Sequence, residues 1–165
     1  MQRWLLLLSI TVVLTVPVHG AAQASSTSLA LLAGPSSYDL SGVGTGFATA
    51  AQFSWSPLQI LVLQPSVTAF SYRSQFETRI TYLFTELSCQ VQPRRGRVRP
   101  FIGGGAGLAI GVAGIHETVA ALHVTLGLRV RIKAYYGIQA ELRQRVLDPW
   151  SRANTDMLFG LSKAL

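Results

Sequence analysis

The stretch ALHVTLGLRVRI (residues 121–132) decides the fold class, because its side chains alternate between two characters. The aliphatic positions are Leu122, Val124, Leu126, Leu128, Val130 and Ile132. Residues 136–145 repeat the alternation, with Glu141 and Arg143 among the polar positions, after a turn at Lys133 and Ala134. A period of two is typical of a strand and incompatible with a helix. The two stretches therefore predict a hairpin with one apolar and one charged face.

The same alternation predicts strands along most of the chain. The predicted strands are 27–35, 47–55, 59–72, 79–92, 100–112, 121–132, 136–145 and 156–165. Most are close to the ~10 residues that a tilted strand needs to cross a bilayer. Pro35 and Pro65 cannot donate a hydrogen bond to a neighbouring strand, so each predicts a bulge or a position at the rim.

The N-terminus predicts export from the cytoplasm. Residues 1–24 combine the basic Arg3, the apolar run 4–16, and small residues at Ala22 and Ala24, as a cleaved signal peptide does. The apolar run is shorter than the ~20 residues of a membrane-spanning helix. We therefore expect cleavage after Ala24 and one mature domain, residues 25–165.

The scarcity of charge indicates that the mature domain lies in a membrane. Charged residues make up 13% of the chain, against about 25% in an ordinary soluble domain. Only helices and closed barrels satisfy every backbone hydrogen bond in lipid, and glycine and proline interrupt the two uncharged stretches long enough to consider as helices. With one cysteine, Cys89, no intramolecular disulfide can form. The predicted fold is an all-β, eight-stranded antiparallel up-and-down transmembrane β-barrel.

The polar faces of the strands predict the interior of that barrel. An eight-stranded barrel has space for little beyond its own side chains, and buried charges are tolerated only when they are paired. We therefore expect a lumen network of ion pairs, with a narrow ion or proton path as the less favoured alternative. The predicted members are Glu86, His123, Arg129, Arg131, Gln139, Glu141, Arg143 and Arg145.

Loop lengths predict the orientation. An even strand count puts both termini on one side, taken as the periplasm, with short turns at 56–57, 93–99 and 133–134. The outer connections are predicted at 36–44, 73–78, 113–118 and 147–155, the first and last being the longer. Trp55 and Tyr136 then lie at the periplasmic edge and Phe47 toward the outer edge, as interface aromatics do.

Four arginines crowd one predicted periplasmic turn: Arg94, Arg95, Arg97 and Arg99. They predict contact with the phosphates of inner-leaflet lipids, although basic runs are more often simply solvated. Nucleic acid is not expected as a partner, because export separates the chain from it.

Two glycine-rich runs carry a family resemblance. Residues 97–107, RVRPFIGGGAG, and 126–131, LGLRVR, resemble those of small outer-membrane β-barrel proteins of the OmpA/OmpX-like eight-stranded class. The resemblance implies a bacterial outer-membrane location, a structural or surface-contact role, and contact with the secretion and barrel-assembly machinery. The C-terminus departs from the class, since the last residue is Leu165 rather than an aromatic and Lys163 interrupts the apolar face.

No catalytic, cofactor or metal site is predicted. The mature chain has two histidines, His116 and His123. His116 adjoins Glu117 in a predicted outer loop, a pair more typical of loop solvation than of a catalytic dyad, and no Asp can be placed beside it from the sequence. Two functional classes remain: a monomeric structural barrel whose outer loops make surface contacts, and a narrow transport or lipid-interacting barrel. A soluble lipocalin-like periplasmic barrel is the structural alternative, because alternation alone does not say which face points inward.

Overall fold

A computed structural model describes residues 26–38, 44–58, 60–73, 79–93, 96–114, 116–147 and 152–165. The strands are β1 (Ser26–Tyr38), β2 (Thr45–Ser56), β3 (Leu61–Arg73), β4 (Arg79–Val91), β5 (Val98–Ala113), β6 (Thr118–Arg131), β7 (Tyr136–Leu147) and β8 (Arg152–Ala164). Each strand pairs antiparallel with its neighbour in sequence, and β8 pairs with β1 to close the barrel. The predicted fold class is confirmed. The predicted signal peptide lies outside the described residues.

The barrel has two distinguishable ends. The start of β1 and the end of β8 lie together, with Ser28 opposite Ala164, and the connections β2–β3, β4–β5 and β6–β7 lie at that same end. We call it the terminal end, and the opposite end the distal end. Within the described ranges, no helix is long and apolar enough to cross a membrane.

The distal connections are shorter than the sequence predicts. The last is expected at 147–155, yet β8 already begins at Arg152. Asn154 has a residue type typical of loops but faces the lumen, where its Nδ2 donates to Ser36 Oγ at 2.9 Å. Ser36 likewise belongs to β1 rather than to the expected first loop. The distal connections are therefore 39–44, 74–78, 114–117 and 148–151.

The outward face of the barrel is apolar. Leu31, Ile102, Val124 and Leu161 are each more than 60% exposed, while their neighbours along each strand point into the lumen. A soluble barrel would bury such residues, and an exposed apolar belt over a polar interior is typical of a barrel in lipid. The burial pattern therefore argues against the soluble alternative.

The aromatic residues predicted for the membrane interface lie near the two ends. Phe47 is exposed and pairs with Pro35 near the distal end of β1. Tyr136 is exposed and begins β7 at the terminal end. Trp55 is half-buried and pairs with Thr27 at the terminal end.

Both strand prolines lie where one hydrogen-bonded ladder is interrupted. Pro35 pairs with Phe47 on β2 but is absent from the register between β1 and β8. Pro65 pairs with Leu87 on β4 but is absent from the register between β2 and β3. A residue without a backbone N–H fits such a position.

Candidate functional site

Glu86 joins the two most buried arginines of the lumen. Arg145 donates to both of its carboxylate oxygens, from Nε at 2.7 Å and from Nη2 at 2.8 Å. Arg143 Nη1 donates to Oε2 at 2.7 Å. All three side chains are fully shielded from solvent. Charge-assisted bonds of this kind are the strong ones, because little water competes for either partner.

Asp156 supplies a second carboxylate to Arg145 and links the network to the closing strand. Arg145 Nη1 donates to Asp156 and also to Asn154 Oδ1 at 3.0 Å. Ser36 donates to Asp156 from β1. Arg145 also lies over the ring of Phe84, with Cζ 4.3 Å from the ring centroid. Arg145 thus connects β7 to β4 and β8 directly, and Asp156 extends the network to β1.

Glu141 occupies the middle of the lumen. Arg143 Nε donates to its Oε1 at 2.8 Å, and Thr125 Oγ1 donates to the same oxygen at 3.0 Å. Gln52 and Gln139 each donate to Oε2 at 2.9 Å. This carboxylate is therefore bonded from β2, β6 and β7, which is what a buried charge requires.

Arg129 is held by amide oxygens. Its Nε donates to Gln139 at 2.9 Å, and its Nη2 donates to Gln64 at 2.7 Å and to Gln90 at 2.9 Å. Gln92 accepts from Nη1. Its guanidinium also lies over the ring of Phe101, 4.4 Å from the centroid. Among the described residues, no carboxylate is a hydrogen-bond partner of this arginine.

Glycines on β5 make room for these side chains. A Cβ at Gly105 would lie 2.7 Å from His123 Cε1, and a Cβ at Gly107 would lie 2.9 Å from Glu86 Cγ. Both also approach the backbone of β4 too closely for any side chain. The glycine run therefore lets Glu86 and His123 pack directly on the backbone of β5.

Ser88, His123 and Glu86 resemble a hydrolytic triad in residue type and order. Ser88 Oγ lies 2.7 Å from His123 Nε2, and His123 Nδ1 lies 3.1 Å from Glu86 Oε1. That second contact is a close polar approach without a well-formed hydrogen bond. Ser88 has no exposed surface, so no substrate carbonyl can approach its hydroxyl as acyl transfer requires. The three residues act as part of the lumen packing.

Aromatic rings close the lumen toward the distal end. Tyr38 stacks on Tyr72 with ring centroids 4.9 Å apart, and Phe70 stacks on Tyr72 at 5.2 Å. Tyr82 lies 6.1 Å from Tyr38 and 6.0 Å from Phe84. Tyr82 also donates its hydroxyl hydrogen to Glu117 Oε1 at 2.5 Å. These five rings form an aromatic layer above the charged residues.

The structure brings together seven of the eight residues predicted for the lumen network and leaves out Arg131. It is exposed at the terminal rim, where its Nη2 donates to Gly96 O at 3.2 Å. Arg131 alternates with Arg129 along β6, which predicted that it faces the interior. However, β6 ends at this residue and the lumen opens there. Arg97 is exposed, donates from Nε to Arg131 O at 3.2 Å, and lies at the same rim.

The basic turn is only partly described. Arg94 and Arg95 lie outside the described residues, and Arg99 is half-buried at the start of β5. Contact of this turn with lipid phosphates stays a prediction.

Several lumen residues were missed by reasoning from the sequence. Gln52 shares its parity with the buried Ala48 and Ala50, and Asp156 shares its parity with the buried Leu158. Extending the alternation of β2 and β8 would have placed both inside. Gln92 lies just beyond the end of β4, but it belongs to the predicted strand 79–92 and alternates with Glu86, so the same reasoning would have placed it inside. In the part of the chain that the structure describes, no three metal-binding side chains converge.

Fold, apolar belt and polar lumen together define the class: a small eight-stranded β-barrel of the outer-membrane type. No protein-family model and no curated protein matches the sequence. Among solved structures, the chain resembles Neisserial surface protein A (NspA), with 14% identity, a TM-score of 0.71, and coverage of 86% of this chain and 99% of that one.

Two further solved structures show how widely this fold is used. The attachment invasion locus protein Ail of Yersinia pestis is 14% identical, with a TM-score of 0.57 over 87% of this chain and 100% of that one. The outer membrane enzyme PagL is 12% identical, with a TM-score of 0.55 over 84% of this chain and 98% of that one. At such identities the likeness shows the fold alone, since one fold carries many functions.

Proposed function

We propose that this chain is a structural barrel of the bacterial outer membrane whose lumen neither conducts nor catalyses. The observation that carries the proposal is the complete burial of Arg143 and Arg145, which Glu86 ties to each other across the lumen. The aromatic layer lies above them and the glutamines around Arg129 lie below. A barrel of this size has room for its own side chains and little else.

The lumen network supports a role in rigidity. It bonds strands that are not neighbours, as when Gln52 on β2 donates to Glu141 on β7. Buried polar networks that connect several strands hold a structure in one arrangement. A barrel braced in this way would keep its shape in the membrane, which is the property that an envelope-stabilising protein needs.

Conductance in planar bilayers tests the closed lumen. We expect no discrete single-channel openings from the refolded mature chain at any applied potential. A variant with Arg143 and Arg145 both replaced by Ala would serve as a positive control for an emptied lumen, provided that it inserts. Steady openings in the wild-type protein would favour the transport alternative.

Absence of enzymatic activity is part of the same proposal. PagL is an enzyme with this fold, so the fold itself does not decide the question. The burial of Ser88 supports the non-enzymatic assignment, because a nucleophile must meet its substrate. Failure of an active-site serine reagent to label Ser88 in the folded barrel is the expected result. Labelling that Ser88→Ala abolishes would contradict it.

Surface contact through the distal connections is the second part of the proposal. The name of Ail assigns that protein to attachment and invasion, which supports testing adhesion for this chain. Replacing residues 148–151 with glycine and serine should reduce attachment of cells that carry the barrel. The same replacement at 57–60, in a terminal connection, is the matched control and should leave attachment unchanged.

The proposed location of the protein is the bacterial outer membrane. The apolar belt supports contact with outer-membrane lipids. We further propose export by the predicted signal peptide, folding by the assembly machinery, a periplasmic terminal end and a monomeric state. Mass spectrometry of the mature chain would test cleavage after Ala24.

A further inference from the structure

Basic residues accumulate at the terminal end, and acidic residues are absent from it. The connections 57–60, 92–97 and 132–135 contain no Asp or Glu, nor do the strand residues beside them. The described basic residues at this end are Arg97, Arg99, Arg131, Lys133 and Lys163. The side chains of this end therefore carry only positive charge, whereas the lumen carboxylates all bond to Arg143 or Arg145.

Two arginines face each other directly where this basic end meets the lumen. Arg99 on β5 and Arg129 on β6 are partners in the strand register. Like charges directly opposite each other destabilise a sheet. Arg129 is fixed by its glutamines and cannot turn away. A negatively charged ligand between the two guanidinium groups would offset their repulsion and so account for this pairing.

A cavity of about 60 Å³ lies at this position, and three arginines line it: Arg99, Arg129 and Arg131. Ser28, Tyr135 and Ser162, whose side chains carry hydroxyl groups, also line it. We call this cavity the terminal mouth. No carboxylate is among its lining residues. Guanidinium and hydroxyl donors around a small space are the chemistry that recognises a phosphate group.

Arg99 offers an unused donor at the terminal mouth. Its Nε is shielded from solvent and has no hydrogen-bond partner. Buried donors are almost always satisfied. Gln64 Nε2, Gln90 Nε2, His123 Nδ1 and Arg143 Nη2 also lack a partner among the described residues, but of these five atoms only Arg99 Nε belongs to a residue that lines the terminal mouth. A ligand in this cavity would supply the missing partner. Arg131 is positioned by its bond to Gly96 O, which keeps a second guanidinium at the rim of the same cavity.

We propose that the terminal mouth binds a phosphate group between Arg99 and Arg131, with the buried charge of Arg129 adding to the attraction. The source of the group is either the headgroup of an anionic phospholipid or a free phosphate ion, since the recognising chemistry is the same. This site does not depend on whether the lumen conducts or on what the distal connections contact.

The experiment compares wild type, Arg99→Gln, Arg131→Gln and Arg73→Gln in an uncharged maltoside detergent. Arg73→Gln removes the same charge from the exposed distal end of β3, so it is the matched control. Each protein is titrated with inorganic phosphate at constant ionic strength and, separately, with phosphatidylglycerol in mixed micelles. The readouts are the arginine Nε–H resonances and the thermal unfolding midpoint.

Wild type should bind at least one of the two ligands saturably, and the ligand that binds identifies the source. Arg99→Gln and Arg131→Gln should each weaken that binding about tenfold, as loss of one charged hydrogen bond does, while Arg73→Gln should not. Without ligand, Arg99→Gln should unfold at the same temperature as wild type or higher, because a like-charged pair is relieved.

Three outcomes would overturn the proposal. The first is that neither ligand binds the wild-type protein. In the second, Arg73→Gln weakens binding as much as Arg99→Gln, which would reduce the effect to general attraction. The third is a clearly lower unfolding temperature for unliganded Arg99→Gln together with unchanged binding, which would make Arg99 a structural residue.

Discussion

The two halves of the lumen hold their arginines in different ways. In the distal half, Arg145 bonds to the carboxylates of Glu86 and Asp156. In the terminal half, Arg129 bonds to four glutamine amides. Each guanidinium lies over an aromatic ring at nearly the same distance, 4.3 Å for Arg145 and 4.4 Å for Arg129. The aromatic packing is alike, and the main difference is that Arg145 has carboxylates among its partners whereas the described hydrogen-bond partners of Arg129 are all amides.

The difference shows that a buried cation in this barrel does not need a carboxylate in contact. Amide oxygens accept from Arg129 without bringing a negative charge into contact with it, whereas carboxylates in the distal half contact their arginines directly. Each buried ion of the distal half is consequently stabilised by oppositely charged neighbours. The side chains of the terminal half therefore carry excess positive charge, which extends to the rim where Arg99 and Arg131 lie.

The largest expected effect compares Arg145→Met with Arg129→Met. Methionine keeps an unbranched side chain against the aromatic ring in both places. Arg145→Met leaves Glu86 and Asp156 short of a cation, and breaking a buried ion pair from one side costs about 3–5 kcal/mol. Arg129→Met leaves only neutral amides unpaired, at about 1–3 kcal/mol. Urea unfolding in lipid vesicles, followed by tryptophan fluorescence, measures both.

Equal losses of unfolding free energy in the two variants would show that the charge of the arginine's partners does not determine its contribution to stability. Adding Asp156→Asn to Arg145→Met should recover part of the lost stability, since it removes one unpaired charge. The same substitution added to Arg129→Met should recover none.

A smaller effect is expected where the backbone of β5 supports the distal half. Gly105→Ala would place a Cβ 2.1 Å from Leu87 O and 2.7 Å from His123 Cε1. Overpacking of this kind costs about 1–3 kcal/mol. Gly104→Ala is the matched control, because it points outward and its nearest contact is 3.1 Å from His123 O. The midpoints of urea unfolding should fall for Gly105→Ala and stay within error for Gly104→Ala.

If both alanine variants have the same midpoint of urea unfolding, the stability of the network does not depend on the absence of a side chain at Gly105. A fall confined to Gly105→Ala, with a changed His123 imidazole resonance, would link the loss to displaced lumen side chains.

Strand number, strand order and the direction of most side chains could be predicted from the sequence. The alternation of 121–132 carries this information because burial has a period of two in any strand that separates lipid from a filled interior. Once that parity is set, Glu141 and Arg143 must point inward. Most polar residues of the lumen network can therefore be identified from the alternation along each strand.

The partners within the network could not be predicted in the same way. Gln52 meets Glu141 because β2 and β7 face each other across the closed barrel, and Ser36 meets Asp156 only because β8 pairs with β1. Both contacts depend on the register with which the sheet closes, which no local pattern encodes. Parity also fails at the rim, where Arg131 leaves the lumen although its neighbour Arg129 on the same face is buried.

The smallest effect on stability, and the sharpest test of the comparison, comes from Gln92→Glu. Gln92 accepts from Arg129 Nη1, so the substitution gives the terminal half the kind of partner that the distal half already has. The added ion pair gains attraction but pays for desolvation of a new charge, and we expect unfolding free energy to change by less than about 1 kcal/mol. Binding of phosphate at the terminal mouth should weaken, because a new carboxylate cancels part of the field there. Gln92→Met, which adds no charge, controls for the loss of the amide. If Gln92→Glu instead stabilised the barrel by several kcal/mol, the amide-only environment of Arg129 would be a defect of the fold, and the contrast between the two halves would carry no functional meaning.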